Sequence, residues 1–210
     1  MKKLNKKRIA LCSIVLILLI VVLIFVVINL KNKKDKPDDN QNKVQEEIKD
    51  YGYVLLENET NLYKQYFKEL IEVLNNEELD EKSYASSIVK LFISDFYDLN
   101  SKITKNDVGG LQFVYEKIQD NFVINAKDTI YKYVENNLSG DRTQKLPGVK
   151  SVQISSVEST KFTYNAENIT DENAYEVKAS WEYNEDLGYQ KEATFTLMHV
   201  DKKLVIVELK

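Results

Sequence analysis

From Ile9 to Ile28 the chain reads IALCSIVLILLIVVLIFVVI, twenty residues without a charge, interrupted only by Cys12 and Ser13. As a helix rising about 1.5 Å per residue, such a run is about 30 Å long, the thickness of a bilayer's hydrocarbon core. Residues 9–30 are therefore read as a transmembrane anchor between a stub of residues 1–8 and a much larger C-terminal part. A cleaved signal peptide has an apolar region of about 7–15 residues closed by small residues. Here the run is longer and closes on Val26-Val27-Ile28-Asn29-Leu30-Lys31, which offers no such site. Lipidation of Cys12 would require a small residue before it, but Leu11 stands there, so Cys12 reads as a small apolar residue near one membrane face.

The stub carries Lys2, Lys3, Lys6, Lys7 and Arg8, against Lys31, Lys33, Lys34 and Lys36 beyond the span. That bias, with the shortness of the stub, predicts a cytoplasmic N-terminus and a C-terminal domain outside the cell membrane. Setting aside the six basic residues at positions 2, 3, 6, 7, 8 and 31 leaves 23 of 29, against 33 acidic ones, a net of −10. An acidic domain is repelled by phosphate, which argues against nucleic acid as a partner. The single cysteine lies in the span, so the outer domain has no disulfide and no thiol nucleophile and must hold itself together by its core. Composition rich in Lys, Asn, Ile and Tyr with few Gly and Pro resembles that of bacterial proteins from AT-rich genomes.

Residues 31–50 read as a linker, with Lys31 to Lys43 too polar to bury surface against the entropy of ordering. Asp35, Asp38 and Asp39 in it lack calcium-loop spacing. The domain, residues 51–210, opens with a short strand over Tyr51–Leu56. Thr60 or Asn61 then caps a helix whose apolar positions Leu62, Tyr63, Tyr66, Phe67, Leu70, Val73 and Leu74 recur at helical spacing. After Asp80 or Ser83 a second helix carries Tyr84, Ile88, Leu91, Phe92, Phe96 and Leu99 on one stripe, with Asp95 and Asp98 off it. Asp107 reads as the cap of a short helix through Leu111, Val114, Tyr115 and Ile118, and Gly109-Gly110 as a tight entry or close packing. Those glycines make no phosphate cradle, since no Lys and Ser/Thr follow. A last helix is predicted over 125–138, with Ala126, Ile130, Tyr133 and Val134 inward.

Past Pro147-Gly148 the period changes to two. A long strand through Val152 and Tyr164 is predicted to bend around Ser155–Ser159, where polar residues fall on both faces. Strands through Tyr175–Tyr183, Ala193–His199 and Leu204–Leu209 follow, completing a four-stranded antiparallel meander with one apolar face. Helices segregated from consecutive strands define the α+β class. Laying the helices on the concave side of a bent sheet buries both apolar faces, and this element order resembles the nuclear transport factor 2-like, or cystatin-like, superfamily of cone-shaped domains.

Chemistry-bearing residues are sparse. His199, the chain's one histidine, precedes Asp201 by two, and the two residues offer either an acid–base pair or an unconstrained strand end beside a turn. No strained elbow surrounds Ser180 or any other serine, as Ser-His-Asp catalysis would require. A single histidine and no domain cysteine exclude a zinc site, and no cofactor motif is present. Members of the cone-shaped superfamily that are ketosteroid isomerase-like enzymes use buried Tyr and Asp, which makes Tyr175, Trp181, Tyr183 and His199 the candidate ligand pocket. Tyrosines on apolar stripes are equally core residues with a polar tip. The architecture of anchor, tether and outer domain is similar to that of the membrane-anchored subunit of type IV secretion and conjugation machines. That similarity implies a non-catalytic scaffold or accessory subunit that binds other envelope proteins and is compatible with self-association; a small-molecule-binding or enzymatic domain is the alternative.

Overall fold

The computed structural model describes residues 43–210. The stub 1–8, the anchor 9–30 and residues 31–42 of the linker lie outside the described residues. Among the described residues no helix is long and apolar enough to cross a membrane. Val44–Lys210 form one unit with its own core.

The segment read as linker contributes a strand: β1 (Val44–Ile48) pairs antiparallel with β2 (Tyr53–Leu56). Gly52, at φ +65°, closes the turn between them. With Glu46 and Glu47 at its centre and almost no burial, β1 carries no apolar alternation, which is why its sequence resembles tether. Helix α1 (Asn61–Leu74) begins at Thr60, whose side chain accepts from the Tyr63 N–H, and buries Tyr63, Tyr66, Phe67 and Leu70. Helix α2 (Glu81–Phe96) begins at Asp80, which accepts from the N–H groups of Lys82 and Ser83. Ten of its residues are buried, on nearly every side, because it lies between α1 and the sheet.

The short helix through Leu111–Ile118 and the last helix over 125–138 expected after α2 are replaced by 3₁₀ turns at Leu99–Ser101 and Leu111–Phe113 and one helix, α3 (Glu116–Asp128). Asp107 caps no helix; it accepts from the Ile103 N–H and closes the loop before it. The helix cannot start there because Gly110 is left-handed at φ +76° and Val114 is extended, bridging Ile206 of the last strand. At the other end α3 stops ten residues before the expected Leu138. Tyr131 turns into the core, and Tyr133, predicted to face inward, is exposed.

The sheet is β3 (Val149–Tyr164), β4 (Ile169–Tyr183), β5 (Glu192–Val200) and β6 (Lys203–Leu209), in that order and all antiparallel, as the meander predicted. Register shifts along β3 include one between Ile154 and Ser156, at the edge of the predicted bend. One sheet face, with Val177, Ala179, Trp181, Phe195, Leu197, Leu204 and Ile206, joins the helices in the main core. The other face is not purely polar: Ala174, Met198 and Val205 are buried there under Tyr115, with Phe162 and Tyr164 packed alongside.

Candidate functional site

The four residues expected to line a pocket sit in two separate places. Tyr175 and Trp181 are six positions apart on β4, about 20 Å along a strand. At one end Trp181, 3% exposed, lies against Tyr97 with ring centroids 4.3 Å apart. Tyr183 follows on the same face, donates its hydroxyl to the Gln190 carbonyl at 2.9 Å, and is pushed up to about 12 by burial. At the other end Tyr175 meets His199 edge to face at 6.0 Å. None of the three cavities described among residues 43–210, of about 210, 300 and 560 Å³, is lined by any of these four residues.

His199 does have an acid partner, but Asp171 rather than Asp201. One Asp171 oxygen accepts from the His199 backbone N–H at 2.7 Å and lies 2.8 Å from its Nδ1. On the far side Glu81, in the first turn of α2, places Oε2 3.3 Å from Nε2. Asp201 adopts a positive φ of 54° and serves the β5–β6 turn instead. Burial raises the Asp171 carboxyl, but the bonds from His199 and Asn173 outweigh it and hold the group below its ordinary value. A neutral imidazole has a single donor, so only the imidazolium donates to both carboxylates at once. The trio ties β4, β5 and α2 together.

A second polar cluster was not legible in the sequence. Asp95 and Asp98, expected off the apolar stripe, both turn inward at the end of α2. Asp95 pairs with the buried Lys102 ammonium and accepts from the Gly110 N–H at 2.6 Å. Asp98 accepts from the N–H groups of Ser101 and Val149, and burial pushes its carboxyl above the usual range despite those bonds. Burial pulls the Lys102 ammonium down, yet the Asp95 charge outweighs it and holds Lys102 above the ordinary lysine value. Tyr131 closes the cluster, donating to the Phe96 carbonyl at 2.7 Å and accepting from the Gly109 N–H at 3.1 Å. Gly109 is required here, because a Cβ would overlap the Asp95 carboxylate. Glu59, half-buried before the α1 cap, is pushed up to about 7, first by burial and then by the charge of Asp95.

The cluster also fixes a long irregular segment between α3 and β3. Arg142 donates to the carbonyls of Lys102, Glu135 and Asn100. Gln144 accepts from the Glu135 N–H and donates to the Tyr133 carbonyl, while Asn137 accepts from the Arg142 N–H and donates its own N–H to Ile103. So stapled, the loop holds Tyr133 73% and Leu138 71% exposed. Irregular connections of this length in a domain are commonly functional. Among the described residues no group of three or more His, Cys, Asp or Glu side chains is placed to hold a metal ion.

No protein-family model matches this chain, and no curated protein and no solved structure matches it either.

Proposed function

We propose that this chain is a non-catalytic, single-pass membrane protein whose extracytoplasmic α+β domain binds other proteins of the cell envelope as a scaffold or accessory subunit. The observation that carries this reading is the stapled loop of residues 129–147 with Tyr133 and Leu138 held out to solvent. Large apolar side chains on a loop already ordered by its own bonds can bind without the entropic cost of fixing it. Two further features support it. The uncharged run of residues 9–28 has the length of a membrane span, and Tyr175, Trp181 and Tyr183 are built into the core. In this reading helices packed on a bent sheet form a cone-shaped domain of the nuclear transport factor 2-like kind, in the same role as the anchored subunit of type IV secretion machines.

The test is site-specific photo-crosslinking in intact cells, with alkaline phosphatase fused after Lys36 to report on which side the domain lies. Benzoylphenylalanine at positions 133 and 138 is expected to trap a discrete set of envelope proteins, lost in the Arg142→Ala variant. Adducts no stronger than those from Ser155, an exposed position on β3, or an inactive phosphatase, would overturn the reading.

A further inference from the structure

Helix α3 is held loosely for a helix of its length. Only Ala126 is fully buried; Ile118, Phe122 and Val123 are half-covered, and Ile124 points into solvent. It is attached to the body by Phe122, whose ring lies 5.0 Å from Phe96 and 5.9 Å from Phe92, and by Gln119, which donates to the Leu111 and Val114 carbonyls. Against its C-terminal half opens a cleft of about 210 Å³, lined by Phe96, Tyr97, Phe122, Ala126, Ile130 and Leu209, with the exposed Asn125, Thr129 and Gln190 at the rim. No charged side chain lines it.

One lining residue carries an unmet polar group. Tyr53, Tyr63, Tyr84, Tyr97 and Tyr131 are the fully buried tyrosines among the described residues. The hydroxyls of Tyr53 and Tyr84 bond to each other, Tyr63 accepts from Gln112, and Tyr131 bridges Phe96 and Gly109. The Tyr97 hydroxyl bonds to none of the described residues and is not sealed from solvent, since the side chain keeps 2% exposure and lines the open cleft. Trp181, tilted against the Tyr97 ring with ring centroids 4.3 Å apart, is buried too, and its indole N–H lies beside the Tyr183 hydroxyl.

We propose that this cleft binds a small, neutral, mainly apolar molecule, about one ring in size, with a single hydrogen-bond acceptor that receives the Tyr97 hydroxyl proton. The volume limits the ligand to a ring with few substituents, and the lack of any cation in the lining disfavours carboxylates and phosphates. The proposal stands apart from the scaffold reading, which concerns the loop at Tyr133 and Leu138.

Trp181 is the chain's single tryptophan, so its emission reports on the cleft without labelling. The full chain, reconstituted in phosphatidylcholine vesicles, is titrated with cyclohexanone and, separately, with benzene, which lacks an acceptor of comparable strength. The expected result is a saturable change in Trp181 emission with both. Tyr97→Phe, which removes a hydroxyl that bonds nothing within the protein, weakens cyclohexanone about five-fold or more, the loss of one neutral hydrogen bond, and leaves benzene unchanged. Thr129→Phe fills the rim at an exposed position and abolishes the response to both. A response that never saturates, one that persists in Thr129→Phe, or equal affinities of Tyr97→Phe and the parent chain for cyclohexanone would overturn the proposal.

Discussion

Replacing Glu59 by Gln isolates the electrostatic strain in the cluster at the end of α2. The Glu59 carboxyl has an ordinary value of 4.5 and is pushed up to about 7 in the folded chain, by burial first and the Asp95 charge next. A group whose folded value is raised binds more protons in the native than in the unfolded state across that interval, so stability falls as pH rises from about 4.5 to 7 and is level above. At about 1.36 kcal/mol per unit the span corresponds to at most about 3.4 kcal/mol. Glu59 is only half-buried, and solvent screening roughly halves this, to about 1–2 kcal/mol. Glutamine keeps the shape of the protonated acid and cannot ionise. Urea unfolding of residues 44–210 should therefore find parent and Glu59→Gln alike at pH 4, whereas at pH 8 the variant is more stable by about 1–2 kcal/mol, or about 2–8 °C in Tm for a domain of this size. Taking the difference between the two chains cancels the other carboxylates. Parallel stability curves from pH 4 to 8 would refute the reasoning, since they would mean that Glu59 ionises in the folded domain as freely as in the unfolded one.

Removing one member of the buried ion pair is more damaging. Lys102→Met leaves the Asp95 charge uncompensated and is expected to cost about 3–5 kcal/mol in urea unfolding, while Asp95→Leu combined with Lys102→Met recovers much of that loss. At Gly110, φ is +76° and an added Cβ would lie 2.7 Å from the Phe92 ring, whereas at Gly188 φ is +77° with open space around it. Gly188→Ala is expected to cost about 1 kcal/mol from the backbone alone, and Gly110→Ala several times more, in thermal unfolding of the two variants side by side.

Periodicity reached the elements whose burial is one-sided. The α1 stripe and the alternation of β4 and β5 are consequences of an apolar face meeting a core and are readable from residue spacing alone, and the same spacing marks α2 although that helix is buried on nearly every side. It failed where side chains rather than ladders satisfy the backbone. Between Tyr97 and Gly148, Asp95, Asp98, Asp107, Tyr131, Asn137, Arg142 and Gln144 bond loop N–H and carbonyl groups that a helix would otherwise have paired internally. Ala126, Ile130 and Val134 have helical spacing, yet Tyr131 interrupts them because its hydroxyl reaches two backbone groups in the core. The partner of His199 was hidden for another reason. Asp171 is 28 residues away in sequence and adjoins His199 only through strand pairing, so its local context of Thr170, Glu172 and Asn173 gives no sign of the contact. Asp201 was the nearest acid in sequence, but a residue closing a tight turn has its backbone, not its carboxylate, committed there.

The buried cluster and the exposed loop are joined through Lys102. Its ammonium holds Asp95, while its carbonyl receives Arg142, the side chain that also binds Glu135 and Asn100 and so keeps the loop in shape. Asp95 in turn fixes Gly110, and Tyr131 fixes Gly109, at the entry to the segment that leads to α3. Ionisation of Glu59 adds a negative charge beside Asp95 and Asp107, where Lys102 is the cation buried among them. The destabilisation therefore falls on the residue that both networks share, and not on the sheet, whose ladder is independent of it. A loop anchored this way is tied through the Lys102 backbone to the buried ion pair. If Tyr133 and Leu138 form the contact with a partner, that contact inherits the pH dependence of Glu59.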